Sequence, residues 1–200
     1  MRLPKSAHTS RPWRIHEVVP DFELEDVWAL PTPGGPDELP RLVSWAVAPN
    51  FPEGAPLIVR VLWDARWKIG RLLGWDTRKT GLGVRVASLR ERLPADLRAA
   101  PRGPDFTDVP MTSVYLLEDE WAAEMANRTV HSIMHLGWVP DGAGGYRGQM
   151  AVLVKPNGWF GAAYMAAIKP FRYVFVYPAL MRTIERDWQA SAAPNSPVHA

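Results

Sequence analysis

The 200 residues of the chain include no cysteine. This absence excludes disulfides, thiolate nucleophiles and cysteine-ligated zinc, and it is typical of proteins from a reducing cytoplasm. Runs of basic residues are also missing, because 23 Lys and Arg residues are interspersed with 21 Asp and Glu residues for a formal net charge of +2. The sequence therefore predicts a cytoplasmic protein without a nucleic-acid partner.

Long apolar segments are lacking as well. The first 14 residues contain no apolar stretch of the kind found in signal peptides. The most apolar later run, residues 162–181, is interrupted by Lys169, Pro170, Arg172 and Pro178. A bilayer span requires about 20 nearly uninterrupted apolar residues, so no membrane span is predicted.

The composition that is present suits one globular domain. Hydrophobic residues make up 47% of the chain and charged residues 22%, which is enough apolar material for a sizeable core. We predict a flexible N-terminus over residues 1–12, a single domain over residues 13–190, and a disordered tail over residues 191–200. The tail is rich in Ala, Pro and Ser. Ten tryptophans either fill this core or line a cavity.

Hydrophobic periodicity predicts the elements of this domain. A period of two predicts strands over residues 13–19, 113–117, 120–126, 129–139, 146–155 and 163–169. A period near 3.6 predicts helices over residues 36–47, 57–73 and 171–190, with a kink at Pro178. Asp21 is expected to begin a helical turn that reaches Trp28, and Ser88 to cap a short helix over residues 89–93.

This order of elements predicts an α+β fold. Three strand-like runs joined by turns lead into one long amphipathic segment near the end of the chain. The expected architecture is a helix-grip fold, in which a curved antiparallel sheet wraps around a long C-terminal helix. An apolar pocket is expected between the sheet and that helix.

Two stretches carry a family resemblance: FELEDVWALPTPGGPDELPRLV, and NRTVHSIMHLGWVPDGAGGYRGQMAVLVKPNGWFGAAYMAAIKPFRYVFVYPALMRTIERDW. They resemble an uncharacterised actinobacterial family of standalone domains, grouped with the START-like, helix-grip superfamily of polyketide cyclases, pollen allergens and lipid-transfer domains. The resemblance covers the chain from about Trp13 to Trp188. It implies a sheet of about six or seven strands curved around the last helix, with an apolar pocket between them. It carries no catalytic motif.

His131 and His135 form the sharpest chemical pattern. On a helix, two histidines four residues apart lie on one side about 6 Å apart and can share a metal ion. On a strand they are separated by about 13 Å, at roughly 3.3 Å per residue. The β-branched neighbours Thr129, Val130 and Ile133 favour a strand, so no metal site is predicted.

The candidate site residues lie on the predicted strands. The catalytic candidates are His131, His135 and Tyr164, because imidazole and phenol groups move protons near neutral pH. The candidate ligand-binding residues are Tyr115, Ile133, Gln149, Ala151, Leu153 and Met165. The alternative for both histidines is an ordinary hydrogen-bonded place in a sheet. Glu118, Asp119 and Glu120 are predicted to form a solvated turn.

Two functions are consistent with this pattern. The first is binding or carrying of a hydrophobic or amphipathic small molecule in a pocket between the sheet and the C-terminal helix. The second is an enzyme of cyclase, dehydratase or isomerase type that acts on a carbonyl-containing, polyketide-like substrate. Whether the chain is an enzyme is left open, no cofactor is predicted, and a homodimer is compatible with the sequence. A regulatory protein with a Trp-rich partner surface is a third alternative.

Overall fold

The computed structural model describes residues 1–48, 82, 86–107, 109–127, 129–158, 163, 166 and 169–192. Strands and helices follow one another in this order: α1 (Ser6–Thr9), α2 (Ile15–Val18), β1 (Glu23–Ala29), α3 (Leu39–Val47), a 3-10 helix (Leu89–Arg92), α4 (Ala95–Ala99), β2 (Thr112–Leu116), β3 (Glu120–Ala126), β4 (Val130–Pro140), β5 (Tyr146–Pro156), a π-helical segment (Arg172–Val176) and α5 (Tyr177–Ala192).

The strands form one curved, unclosed antiparallel sheet with the order β1-β5-β4-β3-β2. Strands β2 to β5 are joined as successive neighbours, whereas β1 pairs with β5 at the far edge. The first residues of the chain cover that edge, because Leu3 donates its N–H to Val27 and Ala29 donates to Met1. The fold is therefore α+β with a C-terminal helix, as predicted, although the described sheet has five strands.

Two apolar layers cover the sheet. One face carries Trp121, Leu136 and Met150, and it packs against α3 and α5 through a set of buried residues that includes Leu39, Leu42, Val43, Tyr177, Ile184 and Trp188. The opposite face carries Ile133, Ala151 and Leu153, and it packs against the N-terminal residues, the 3-10 helix and α4 through Trp13, Ile15, Val18, Leu89 and Leu97. We call this opposite face, which also carries His131 and His135, the histidine face.

Strands β2, β3, β4 and β5 confirm the predictions made for them, and so does helix α3. Ser88 also caps the 3-10 helix, since its hydroxyl accepts the N–H of Arg90. The predicted helix over residues 57–73 lies outside the described residues.

Two N-terminal predictions are wrong. The predicted strand over residues 13–19 contains helix α2, because Ile15, Val18 and Val19 bury one helical side rather than alternate residues. The predicted helical turn after Asp21 is strand β1. A bulge between Leu24 and Asp26 interrupts the alternation of that strand and hides its period of two.

The last predicted strand is also wrong, because its described residues Ala163, Ala166 and Lys169 are helical. Helix continues through the π-helical segment into α5. Pro178 lies just inside α5 and has no N–H to donate to Val174, four residues earlier. The wider π-type turn immediately before Pro178 accommodates this missing hydrogen bond.

A buried carboxylate fastens this helix to the sheet. Asp26 on β1 accepts hydrogen bonds from Arg172 at 2.7 Å, from Tyr177 at 2.8 Å, and from Tyr173. Asp26 is only 2% exposed, so the Arg172 guanidinium is needed to compensate its buried charge. Burial, and then the Asp26 carboxylate, raises the pKa of Tyr173 to about 12, which keeps its hydroxyl a donor.

Candidate functional site

Strands β3 and β4 present two matched acid–histidine pairs on the histidine face. In the antiparallel register, Glu120 lies opposite Gly137 and Glu124 lies opposite Ile133. Each glutamate therefore reaches diagonally to the histidine two residues before its partner. Glu120 Oε2 is 2.7 Å from His135 Nε2, and Glu124 Oε2 is 2.8 Å from His131 Nε2. The two pairs have the same local geometry, so their surroundings decide how they differ.

The Glu124–His131 pair holds the 3-10 helix. Glu124 accepts the Ser88 hydroxyl at 2.6 Å and the backbone N–H of Leu89 at 3.1 Å. A carboxylate that accepts N–H groups at a helix start satisfies donors that have no partner within the helix. On the other side, the Phe22 ring packs against the His131 imidazole at 5.0 Å. This pair is a structural tie between the sheet and the segment that covers it.

The Glu120–His135 pair extends instead to a second histidine. His135 Nδ1 is 3.1 Å from Nε2 of His8, which comes from α1. Glu120 also accepts the backbone N–H of Arg14 at 2.8 Å and the Tyr115 hydroxyl at 3.3 Å. His8, His135, Glu120 and Tyr115 are each at most 2% exposed. A buried carboxylate–histidine–histidine chain thus links β3, β4 and the N-terminal segment.

With Glu120 ionised and His135 neutral, the hydrogen-bond order of this chain sets its tautomers. The Glu120 carboxylate can only accept, so His135 Nε2 carries the proton that lies between them. The Nδ1 atom of a neutral His135 is then an acceptor, and His8 Nε2 must donate to it. This leaves the Nδ1 atom of His8 with a lone pair, and that atom is buried without a hydrogen-bond partner. The chain therefore ends on a bare, buried basic nitrogen.

Charge on His8 is strongly opposed. Burial, followed by the nearby His135 and His16 rings, lowers the pKa of His8 to about 2. Burial, and after it the Glu120 charge, raises the pKa of the Tyr115 hydroxyl, which stays a donor. The same two causes raise the pKa of Asp119. At neutral pH the histidine at the end of the chain is uncharged.

Trp13 closes this part of the histidine face. Its ring centroid lies 5.2 Å from that of His135 and 6.3 Å from that of His8. The ring sits directly over Gly137, where an added Cβ would come within 2.6 Å of Trp13 Cζ2. Gly137 is required here because only a hydrogen side chain leaves room for the ring.

Unpaired polar atoms gather around this chain. In the described part of the molecule, five buried side-chain nitrogen or oxygen atoms have no hydrogen-bond partner. Three of them, His8 Nδ1, Trp13 Nε1 and Gln149 Oε1, belong to residues that surround His135 and Gly137. Gln149 pairs with Gly137 across the sheet, and its amide nitrogen donates to Ala7 at 3.3 Å. Buried polar atoms are nearly always paired in proteins, so this concentration marks a candidate ligand site.

The structure places the predicted site residues as follows. His131, Ile133, His135, Gln149, Ala151, Leu153 and Tyr115 all belong to the histidine face or to the apolar layer beneath it. That face is opposite the one packed by α5. Gln149 and Tyr115 are brought to His135, whereas His131 belongs to the separate Glu124 pair. Tyr164 and Met165 lie outside the described residues.

Several site residues were missed by the sequence interpretation. Glu120, expected in a solvated turn, is 2% exposed and belongs to β3. Its spacing from Glu124 repeats the spacing of His131 and His135, and this repeat on adjacent strands is the signal that could have found it. Residues 1–12, expected to be flexible, contain α1 and the buried His8. No local sequence pattern around His8 indicated that it belongs to the site.

The histidine spacing bears on metal binding. His131 and His135 lie on strand β4, as predicted, with their imidazoles committed to different glutamates. No cluster of three or more His, Asp or Glu side chains suited to a metal ion occurs among the described residues. The absence of a metal site remains a prediction from the sequence.

Comparison with known families places the chain. A family model described as protein of unknown function (DUF2867) matches residues 18–179. The chain belongs to this family. The DUF2867 match includes Glu120, His135 and Gln149, but it begins after His8 and Trp13, which come from the segment ahead of it. A search of curated proteins and a search of solved structures each gave no significant match. Within its described residues, this DUF2867 member has no helix with the length and apolarity to cross a bilayer.

Because His8 is held neutral in the folded chain, it makes the free energy of unfolding depend on pH, and this dependence can be measured. His8 has a folded-state pKa of about 2 and an unfolded value of about 6.5. Between these values the unfolded chain binds the proton and the folded chain does not, so this contribution is complete above pH 6.5 and is lost as the pH falls. The titratable groups facing His8 are His135 and His16, with Glu120 acting through His135.

We expect the wild type to lose about 2 kcal/mol more of its unfolding free energy between pH 7 and pH 5 than the His8→Gln variant loses. The measurement is urea unfolding at both pH values, followed by tryptophan fluorescence. The choice of pH 5 keeps most carboxylates ionised, so the difference reports on the histidine. Parallel stability changes in the two proteins would show that His8 is not held neutral by the fold.

Proposed function

We propose that the chain binds a small amphipathic molecule at the histidine face, with the polar group of that molecule next to His8, Trp13 and Gln149. The observation that carries this proposal is the concentration of three unpaired, buried polar atoms in one place. Leaving such atoms unpaired costs about 1–3 kcal/mol each, and a ligand with matching groups removes that cost. The helix-grip resemblance supports small-molecule binding in general, although the pocket it implies lies on the other side of the sheet, between the sheet and the C-terminal helix.

The surroundings suit an amphipathic ligand. Beside the polar atoms lie apolar side chains of the same face, including Ile133, Ala151 and Leu153. Pockets that bind small molecules combine an apolar lining with a few convergent polar groups. The proposed site therefore lies under the N-terminal segment, on the side of the sheet away from α5. Entry of a ligand requires that segment to shift.

The proposal predicts a retained molecule that depends on Gln149. Native mass spectrometry of freshly purified full chain should show an added small-molecule mass, and Gln149→Leu should reduce its occupancy about tenfold or more. Losing one hydrogen bond of about 1 kcal/mol together with burial of an unmatched ligand group accounts for such a change. The protein fold should be preserved, because the Oε1 atom has no protein partner and the amide N–H loses only its 3.3 Å hydrogen bond to Ala7.

Gln189→Leu, an exposed substitution on α5, is the matched control. It should leave the occupancy unchanged. A clean apo mass for the wild type, together with no saturable binding of a hydrophobic metabolite library, would contradict the binding proposal. Retention that is equal in both glutamine variants would place the ligand elsewhere on the chain.

A second candidate function, proton-transfer catalysis on a carbonyl compound, is favoured by the Glu120–His135–His8 chain. His8 Nδ1 would take a proton from the carbon next to the carbonyl group, and the electron pair of that C–H bond would form the enolate. The Nε2 proton of His8 would pass to His135 Nδ1, and the Nε2 proton of His135 would pass to Glu120. Both histidines stay neutral throughout this transfer, so the low pKa of His8 does not oppose it.

A further inference from the structure

A fourth unpaired buried atom lies on the histidine face, and it belongs to Arg147. Nη1 of this side chain is buried without a hydrogen-bond partner. Arg147 precedes Gln149 by two residues on β5, so the two side chains share one face, about 6.6 Å apart along the strand. Arg147 pairs with Val139, and Gln149 pairs with Gly137 beneath Trp13. Arg147 therefore borders the Trp13–Gln149 end of the candidate site.

Arg147 is half-buried, and its Nη1 atom is shielded from solvent at a cost because it has no partner. Burying charge without a partner costs more than burying a neutral polar group, and proteins normally pair such groups. Arg172, which reaches a buried part of the sheet at β1, has its carboxylate in Asp26 at 2.7 Å. Arg147 has no such ion pair within the described ranges of the chain.

The local electrostatics point the same way. Burial, and after it the Arg147 guanidinium, lowers the pKa of the Met1 amino group. Arg147 therefore lies near a second cationic group. A second unpaired N–H donor belongs to the ring that covers Gly137, since Trp13 Nε1 is also buried without an acceptor.

We infer that the molecule bound at the histidine face carries a carboxylate, which accepts hydrogen bonds from Arg147 Nη1 and Trp13 Nε1. This inference rests on the proposed small-molecule site. Arginine is the residue best suited to a carboxylate, because its planar donors match the two carboxylate oxygens. Two buried N–H groups suit a carboxylate better than a phosphate, whose three terminal oxygens need more donors.

The opposite end of the site selects a different group. The bare Nδ1 atom of His8 is an acceptor, and it repels an anionic oxygen but attracts a hydroxyl or an acidic C–H proton. Gln149 lies between the two ends. Its unpaired Oε1 atom can accept a hydrogen bond from a neutral polar group of the ligand. The chemical class that fits this polarity is a hydroxy or oxo carboxylic acid with an apolar remainder, oriented with its carboxylate towards Arg147.

The test compares three probes of equal chain length: 2-hydroxyoctanoate, 2-hydroxyoctanamide and octyl phosphate. Isothermal titration calorimetry on the full wild-type chain should show saturable binding of the acid, with the neutral amide weaker by about tenfold or more. Octyl phosphate should also bind more weakly than the acid. This comparison needs no variant, so it does not depend on how a substitution affects folding.

The Arg147→Met variant then tests whether Arg147 causes the preference for the acid over the amide. The variant should bind the acid about tenfold or more weakly and the amide with unchanged affinity. Arg182→Met, on the exposed side of α5, is the control and should change neither affinity. The melting temperature of ligand-free Arg147→Met should equal or exceed that of the wild type, because a buried N–H group without a partner is removed. A purely structural arginine would instead lower it.

Several results would overturn the carboxylate inference. These are equal affinity of the wild type for the acid and the amide, tighter binding of octyl phosphate, absence of saturable binding by the acid, or undiminished acid binding by Arg147→Met. The proposed function fails by a different result, namely no retained molecule and no effect of Gln149→Leu. If the retained molecule is neutral and is lost in Gln149→Leu, the binding function is supported and the carboxylate inference is contradicted.

Discussion

Replacing Glu120 with glutamine is expected to slow proton transfer by about 10²–10⁴-fold, the usual contribution of a general acid or base. In the proposed chain, Glu120 takes the final proton, and an amide cannot take it. The proton would then have to remain on an imidazole, and burial of that charge is strongly unfavourable at His8. The amide oxygen introduced by Glu120→Gln would still accept the Arg14 N–H, so the fold should persist.

Deuterium exchange measures this step without knowledge of the product. The molecule retained by the purified chain is incubated with wild-type protein in D2O, and mass spectrometry records the deuterium that enters its C–H bonds. Wild-type protein should catalyse the exchange, and Glu120→Gln should slow it. Exchange at the wild-type rate in Glu120→Gln would remove the acid–histidine chain from the reaction. Absence of exchange in the wild type would leave binding alone as the proposed function.

Glu124→Gln provides a control with the same chemical change on the same face. Glu124 has the same relation to His131 as Glu120 has to His135, but its other partners are Ser88 and the backbone of Leu89. We expect this variant to lose about 1–3 kcal/mol of unfolding free energy, because a buried N–H and hydroxyl lose a charged acceptor. Its exchange rate per folded molecule should stay near that of the wild type.

Truncation of Trp13 to alanine should have the largest effect on stability, a loss of about 3–5 kcal/mol of unfolding free energy. The ring is 6% exposed and fills the space over Gly137 between His8 and His135. Its removal leaves a cavity beneath the N-terminal segment. Amide hydrogen exchange should then rise over residues 1–19 before it rises in β4 or β5. Urea unfolding and exchange mass spectrometry supply the two measurements.

A milder pair of variants keeps this prediction testable if Trp13→Ala does not fold. Trp13→Phe removes an N–H that has no acceptor, whereas Trp138→Phe removes an N–H that donates to the Gly35 carbonyl at 2.8 Å. The Trp138 variant should therefore lose about 1 kcal/mol more than the Trp13 variant. Equal losses would mean that the Trp13 indole N–H has a partner in solution.

The sequence predicted the middle strands well and the first strand badly, for a physical reason. Strands β4 and β5 alternate without interruption, so one period of two covers each strand. Strand β1 contains a bulge, and its central Asp26 is buried only because Arg172, Tyr173 and Tyr177 arrive from far along the chain. No window of local sequence contains those partners.

The candidate site likewise combines residues that the sequence predicted with residues that it did not. His135 and Gln149 were found because strand periodicity places them on one face. His8 meets His135 across 127 positions of sequence, and only the docking of α1 onto the sheet brings the two rings together. The distinction between a structural His131 and a site residue His135 also depends on tertiary partners, Ser88 for one and His8 for the other.

The twin acid–histidine pairs have a consequence for how the β3–β4 hairpin assembles. A slip of two residues between these strands would keep every side chain on its proper face, so the apolar pattern alone does not oppose it. In the direction that places Glu120 opposite Val139, that slip separates Glu120 from His135 and leaves His131 without its glutamate. The buried Glu120 then has no histidine partner. The two pairs therefore penalise slippage in that direction and favour the native alignment during folding.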